Sequence, residues 1–108
     1  MIDDYVHIRR LNMYKVELCF DTDKLDLNEA ERMCSRTDAI FKQKDLSCSE
    51  KSPGKRVYLD QGRKQDYGRF WAAIFALKDA SELVSNLKEC FWYNGSAKEN
   101  LMTDFLRN

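Results

Sequence analysis

Arg69-Phe70-Trp71-Ala72-Ala73-Ile74-Phe75-Ala76-Leu77 is the stretch on which the architecture turns. After the arginine it is unbroken apolar sequence, far short of the roughly 20 residues that a membrane span needs. Such a run suits a strand buried on both faces, or a helix, which Ala72, Ala73 and Ala76 would favour. The next residues weigh against the helix. Asp79-Ala80-Ser81-Glu82 places a short polar side chain three residues before a glutamate, a helix-start signal. A helix with its own beginning at 79 leaves 69–77 as the central strand of a sheet.

Downstream, Leu83, Val84, Leu87, Cys90 and Phe91 make the apolar face of that helix, and Asn94-Gly95 stops it. Ser96-Ala97-Lys98-Glu99 repeats the start signal and opens a last helix carrying Leu101, Met102, Phe105 and Leu106. Upstream, Gln61 to Gly68 is a polar turn, Lys55 to Asp60 a strand, and Asp45 to Gly54 a loop closing on Ser52-Pro53-Gly54. A third start signal, Asp26-Leu27-Asn28-Glu29, opens a helix from about Leu27 to Lys42 with the stripe Leu27, Ala30, Met33, Cys34, Thr37, Ile40 and Phe41. Tyr14 to Phe20 alternates, with Tyr14, Val16, Leu18 and Phe20 on one face of a half-buried strand.

The order β-α-β-β-α-α predicts an α+β fold, a two-layer sandwich with a small, mainly antiparallel sheet and helices on one face. Residues 13–108 form the expected single domain. Residues 1–12, with Tyr5-Val6-His7-Ile8, are an N-terminal extension or an extra strand, and Met13 is an alternative start. At 108 residues, 44% apolar and 33% charged, the chain can bury a core without staples. Cys19, Cys34, Cys48 and Cys90 are unevenly spaced with no C-x-x-C pair and no export signal, which predicts free thiols and a cytoplasmic location without membrane contact.

Catalytic and metal chemistry find little to use. The acidic stretch 21–26 offers Leu25, Asp26 and Arg32 where an EF-hand needs an oxygen ligand, a glycine and a bidentate acid. Zinc or cysteine catalysis would have to rely on His7, the only histidine. Phosphate-binding glycine patterns are absent. No cofactor, no metal and no enzymatic activity are expected.

Charge is more informative. Eighteen bases balance eighteen acids, yet Glu17 to Glu31 holds six acids and one base, and Lys55 to Arg69 five bases and two acids. The acids Glu17, Asp21, Asp23, Asp26 and Glu29 could meet a basic partner and steer its approach. Trp92 and Tyr93 are candidate interface anchors, their other reading being packing against the last helix. The cations Lys55, Arg56, Arg63, Lys64 and Arg69, interleaved with Tyr58, Tyr67, Phe70 and Trp71, suit a nucleic-acid platform instead. Phe70 and Trp71, with Phe75, read first as core rings, and Tyr67-Gly68-Arg69-Phe70 departs from the aromatic strand motif of RNA recognition domains.

In length, compact α+β build, acidic Asp21, Asp23, Asp26 and Glu29, and the rings of Trp92 and Tyr93, the chain resembles the small bacterial immunity proteins that neutralise toxins in contact-dependent growth inhibition. The resemblance is one of overall character across the chain and rests on no single motif. It implies a protein partner, a basic nuclease-type toxin domain, whose active site is occluded. A nucleic-acid-binding module and a non-catalytic subunit or adaptor of a larger complex are the alternatives.

Overall fold

The computed structural model describes residues 13–106, so the expectations for 1–12, His7 included, lie outside the described residues. The fold is α+β. In chain order the elements are β1 (Tyr14–Phe20), α1 (Leu27–Gln43), β2 (Cys48–Ser52), β3 (Lys55–Leu59), α2 (Asp66–Asp79), α3 (Ser81–Val84), β4 (Leu87–Asn94), β5 (Ala97–Asn100) and α4 (Met102–Phe105). The five strands form one sheet in the order β2-β3-β1-β4-β5, every neighbouring pair antiparallel. The central strand is therefore β1, whose alternation was legible, and not 69–77.

That deciding stretch is a helix. Phe70, Ala73, Ile74 and Leu77 recur at helical spacing and are buried, while Ala72 and Phe75 face solvent. A strand buried on both faces would have hidden them all. The Asp79 signal is not a cap: the chain bends at Ala80, makes the single turn of α3 without a side-chain cap, and enters β4. Residues 87–94, expected as a helix face, are a strand instead. Cys90-Phe91-Trp92-Tyr93 are good strand formers, and Cys90 and Trp92 bury on one side of it. Asn94-Gly95 does not end a helix. With Asn94 paired to Ala97, Gly95-Ser96 is a two-residue hairpin loop, and Gly95 supplies the positive φ (62°) that such loops need. Ser96 is accordingly no cap, Glu99 lies on β5, and only Met102–Phe105 is helical near that end. The expected 45–54 loop contains β2, which pairs with β3 through the Pro53-Gly54 turn, Gly54 at φ 75°.

α1 forms as read, and its capping box is complete. Asp26 accepts from the Glu29 amide at 2.8 Å, and Glu29 accepts from the Asp26 amide at 3.1 Å. Leu27 is the exception on its stripe, at 62% exposure.

The helices pack on one face of the sheet. Val16, Leu18 and Phe20 of β1, Tyr58 of β3 and Cys90 and Trp92 of β4 meet Met33, Cys34 and Phe41 of α1 and the buried side of α2 in one core. Leu101 and Phe105 close it at the β5–α4 end. Phe41 stacks on Tyr58 with ring centroids 3.9 Å apart, and Trp92 lies against Tyr14, Phe70 and Trp71. All four cysteines are free thiols. Among the described residues no helix is long and apolar enough to cross a membrane.

Candidate functional site

Side chains alternate along a strand, so the residues that point away from the helices form the opposite, uncovered face of the sheet. The register sets them side by side. Lys15, Glu17 and Cys19 on β1 stand opposite Tyr93, Phe91 and Glu89 on β4, and opposite Leu59, Val57 and Lys55 on β3. Glu50 on β2 and Lys98 on β5 extend the row at each edge, against Val57 and Tyr93.

Glu17 is the hub. It accepts a hydrogen bond from Tyr93 Oη at 3.0 Å, and Lys55 Nζ lies 3.3 Å from its other carboxylate oxygen. Partial burial works to raise its pKa, but the Tyr93 hydrogen bond and the Lys55 ammonium outweigh this and hold it below the ordinary glutamate value. Lys55 is raised in turn by the same partner. Lys15 Nζ sits 4.3 Å from the centre of the Tyr93 ring, and Lys98 Nζ 4.3 Å from that of Phe91. These contacts hold two aromatic rings half-buried on a face that mixes Lys15, Glu17, Glu50 and Glu89 with Val57 and Leu59.

Two shallow hollows share Glu17. One, of about 350 Å³, is bounded by Met13, Lys15, Glu50, Leu59 and Tyr93. The other, of about 320 Å³, is bounded by Cys19, Lys55, Glu89, Phe91 and Lys98. Burial and, next, the Glu89 charge push the Cys19 thiol pKa up, which keeps it protonated and a poor nucleophile.

The residues singled out in the sequence separate sharply. Glu17 and Tyr93 belong to this face. Trp92, one position along, is 4% exposed and is a core ring with no surface to offer a partner. Asp21, Asp23, Asp26 and Glu29 lie in the β1–α1 connection and the first turn of α1. Asp21 accepts from the Asp23 amide, Asp26 and Glu29 cap each other, and Asp23, 3.9 Å from Lys88, is 88% exposed at its side chain. Lys24 ties the connection to the α3–β4 turn by donating to the Ser85 carbonyl at 3.0 Å.

The basic segment does not come together as a patch. Lys55 faces the open side. Arg56, its neighbour, is 2% exposed on the helix side, bonded to Glu31, to Asp38 at 3.2 Å and to the carbonyls of Ser52 and Lys55. Arg63 bridges Asp45 at 2.6 Å and Asp66 at 2.9 Å, and Arg69 reaches Asp66 at 3.4 Å, while Lys64 is exposed in the turn before α2. Arg56 is a structural ion pair, and Arg63 and Arg69 are largely neutralised. Phe70 is core, Trp71 half-buried, and Phe75 is 60% exposed.

Sequence reasoning missed Lys15, Phe91, Glu89 and Lys98. The outward half of the β1 alternation carried the signal for the first. The others became visible only once 87–100 was a hairpin.

Comparison of the chain with protein-family models, with curated proteins and with solved structures finds no match. The class it defines is thus architectural: an α+β sandwich of one antiparallel sheet, helices on one side and a ring-bearing polar face on the other.

Proposed function

We propose that this is a protein-binding inhibitor of the immunity type, which docks a toxin domain on the open sheet face and covers its active site. The observation that carries this reading is the Glu17 hub with its clamped rings. Tyr93 and Phe91 are fixed by Lys15, Lys98 and Glu17 before any partner arrives. Rigid aromatic groups lose little entropy on binding and are the usual anchors of protein interfaces. The acids of the β1–α1 connection, exposed Asp23 and Asp26 with half-buried Asp21, add a field that draws in a basic partner.

Single-stranded nucleic acid is the second reading, favoured by Lys15, Lys55 and Lys98 standing beside two rings. It is the weaker one, because Glu17, Glu50 and Glu89 on the same face repel phosphates and balance those lysines.

The test is capture of the tagged protein's partner from its source lysate with nuclease present, followed by rebinding of the purified partner. One stoichiometric protein is expected. Its enzymatic activity should be blocked by the wild type, and much less by Tyr93→Ala or Glu17→Lys. Slower association for Asp21→Lys/Asp23→Lys, steepest at low salt, would mark the acidic connection as the steering element. Loss of all captured material on nuclease treatment would move the assignment to nucleic acid. A partner whose activity is untouched would leave an adaptor.

A further inference from the structure

The tip of the β4–β5 hairpin carries a reactive dipeptide. Among the asparagines of the chain only Asn94 is followed by glycine. The side-chain amide of an asparagine is open to attack by the backbone nitrogen of the next residue, and glycine, without a Cβ, leaves that approach unobstructed. Asn94 and Gly95 are both exposed, and Gly95 has open space where a Cβ would stand. One contact restrains the attacking atom. The Gly95 N–H donates to the Met13 carbonyl at 2.7 Å, just before β1 begins. Asn94 itself is paired with Tyr14 on one side and Ala97 on the other.

We infer that Asn94 is a site of spontaneous deamidation, gated by release of Gly95 from Met13. The Gly95 nitrogen gives its proton to solvent and bonds to Asn94 Cγ. The Cγ–Nδ2 bond breaks, and Nδ2 takes up a proton and leaves as ammonia. Water then opens the cyclic imide at either carbonyl, giving aspartate or isoaspartate with no change of oxidation state. The hydrogen bond to Met13 engages the nitrogen that must attack, so the reaction runs from the locally opened hairpin. Its place gives the product a consequence. Gly95 lines the hollow bounded by Lys15, Glu17, Glu50 and Tyr93. Aspartate sets a new negative charge one residue from Tyr93. Isoaspartate lengthens the main chain by one carbon at the hairpin, displacing β5 and with it Lys98, whose ammonium lies over Phe91. On the docking reading proposed above, on which this consequence alone rests, either product changes the binding face irreversibly.

Peptide mapping by mass spectrometry, on folded protein incubated for weeks at mildly alkaline pH, reads the modification. Aspartate and isoaspartate are expected at Asn94 ahead of every other asparagine. In urea, with the hairpin undone, conversion should run about tenfold faster or more. Below the unfolding transition it should rise with urea in step with hydrogen exchange of the Gly95 amide. Asn94→Gln, whose longer side chain closes a six-membered ring reluctantly, should abolish it, and circular dichroism verifies that this variant is folded. An Asn94 left intact after weeks in the folded protein would overturn the inference. Equal rates in folded and unfolded chains, or a rate that ignores Gly95 exchange, would overturn the gate. Asn94→Asp tests the consequence, with inhibition of the captured partner expected to weaken. Full inhibition by Asn94→Asp alongside impaired Tyr93→Ala would overturn the consequence and keep the docking reading. Full inhibition by both would overturn the docking reading and leave the chemistry at Asn94 standing.

Discussion

Asp66 is fully buried, yet it sits at the convergence of four donors. The amides of Gln61 and Arg63, the Arg63 guanidinium and, more distantly, that of Arg69 all point at its carboxylate. Burial alone would raise its pKa. The backbone amides first, then the two arginines, outweigh burial and bring it below the ordinary aspartate value of 3.8. A depressed folded-state pKa lends stability that is complete above the unfolded value and is lost as the pH falls through the folded one. Asp66→Asn should therefore cost about 2–3 kcal/mol near neutrality. The difference from wild type should narrow on acidification below 3.8, as urea unfolding across a pH series would report. A gap that stays constant with pH would mean the ionised form contributes nothing. Gly54 offers a second residue-scale test. Its φ of 75° is strained for any other residue, and an added Cβ would lie 2.8 Å from the Thr22 methyl. Gly95, at φ 62°, has open space around it. Gly95→Ala should cost about 1–2 kcal/mol from backbone strain alone. Gly54→Ala should cost about 1 kcal/mol more, because Thr22 must shift as well. Thr22→Ser, which removes the methyl, should restore most of that excess in a double-mutant cycle and leave the strain.

At the scale of elements, three start signals of one form met three fates, and the reason separates what was legible from what was not. Asp26-x-x-Glu29 opens a seventeen-residue helix whose inward stripe fits the sheet, so the local cap and the tertiary packing agree. Asp79-x-x-Glu82 falls where α2 ends, and Ser96-x-x-Glu99 falls on a hairpin. A cap motif is a local signal, and a distant partner strand outweighs it when Cys90 and Trp92 can pair with Leu18 and Val16. The same non-local pairing made β1 the centre of the sheet, with strands on both sides, and took the central position from 69–77. Once it is helical, the stretch buries Phe70 and Ile74 on one side and exposes Phe75 on another. Of the site, Glu17 and Tyr93 were visible as residue types, but their contact spans 76 positions of sequence and has no local signature. Arg56 looked like its basic neighbours because nothing in the sequence states that its strand turns it toward Asp38. The caps make a direct prediction. Asp26→Ala should cost about 1 kcal/mol, whereas Asp79→Ala and Ser96→Ala should change stability by no more than about 0.5 kcal/mol. Equal losses at all three would contradict the assignment of β4 and β5.

For the whole molecule, the sheet acts as a partition. Trp92 and Tyr93 are neighbours in the chain, but one is in the core and the other on the open face. The helix layer on the Trp92 side ends in the Phe75 surface, and the Glu17 hub lies on the far side of the strands. Substitutions in the two regions share no side-chain contact, so their effects should add. Trp92→Ala should cost about 3–5 kcal/mol of stability through the cavity left among Tyr14, Phe70 and Trp71. Tyr93→Ala, which gives up a hydrogen bond to Glu17 and the contact beneath Lys15, should cost about 1 kcal/mol. Function should divide along the same plane. Under the proposed reading, Tyr93→Ala should weaken inhibition of the partner, while Phe75→Gln should leave it unchanged. The double variant should inhibit as Tyr93→Ala alone does, measured on the same samples. If Phe75→Gln also impaired binding of a captured partner, the docking surface would extend round to the helix layer and not stop at the sheet face.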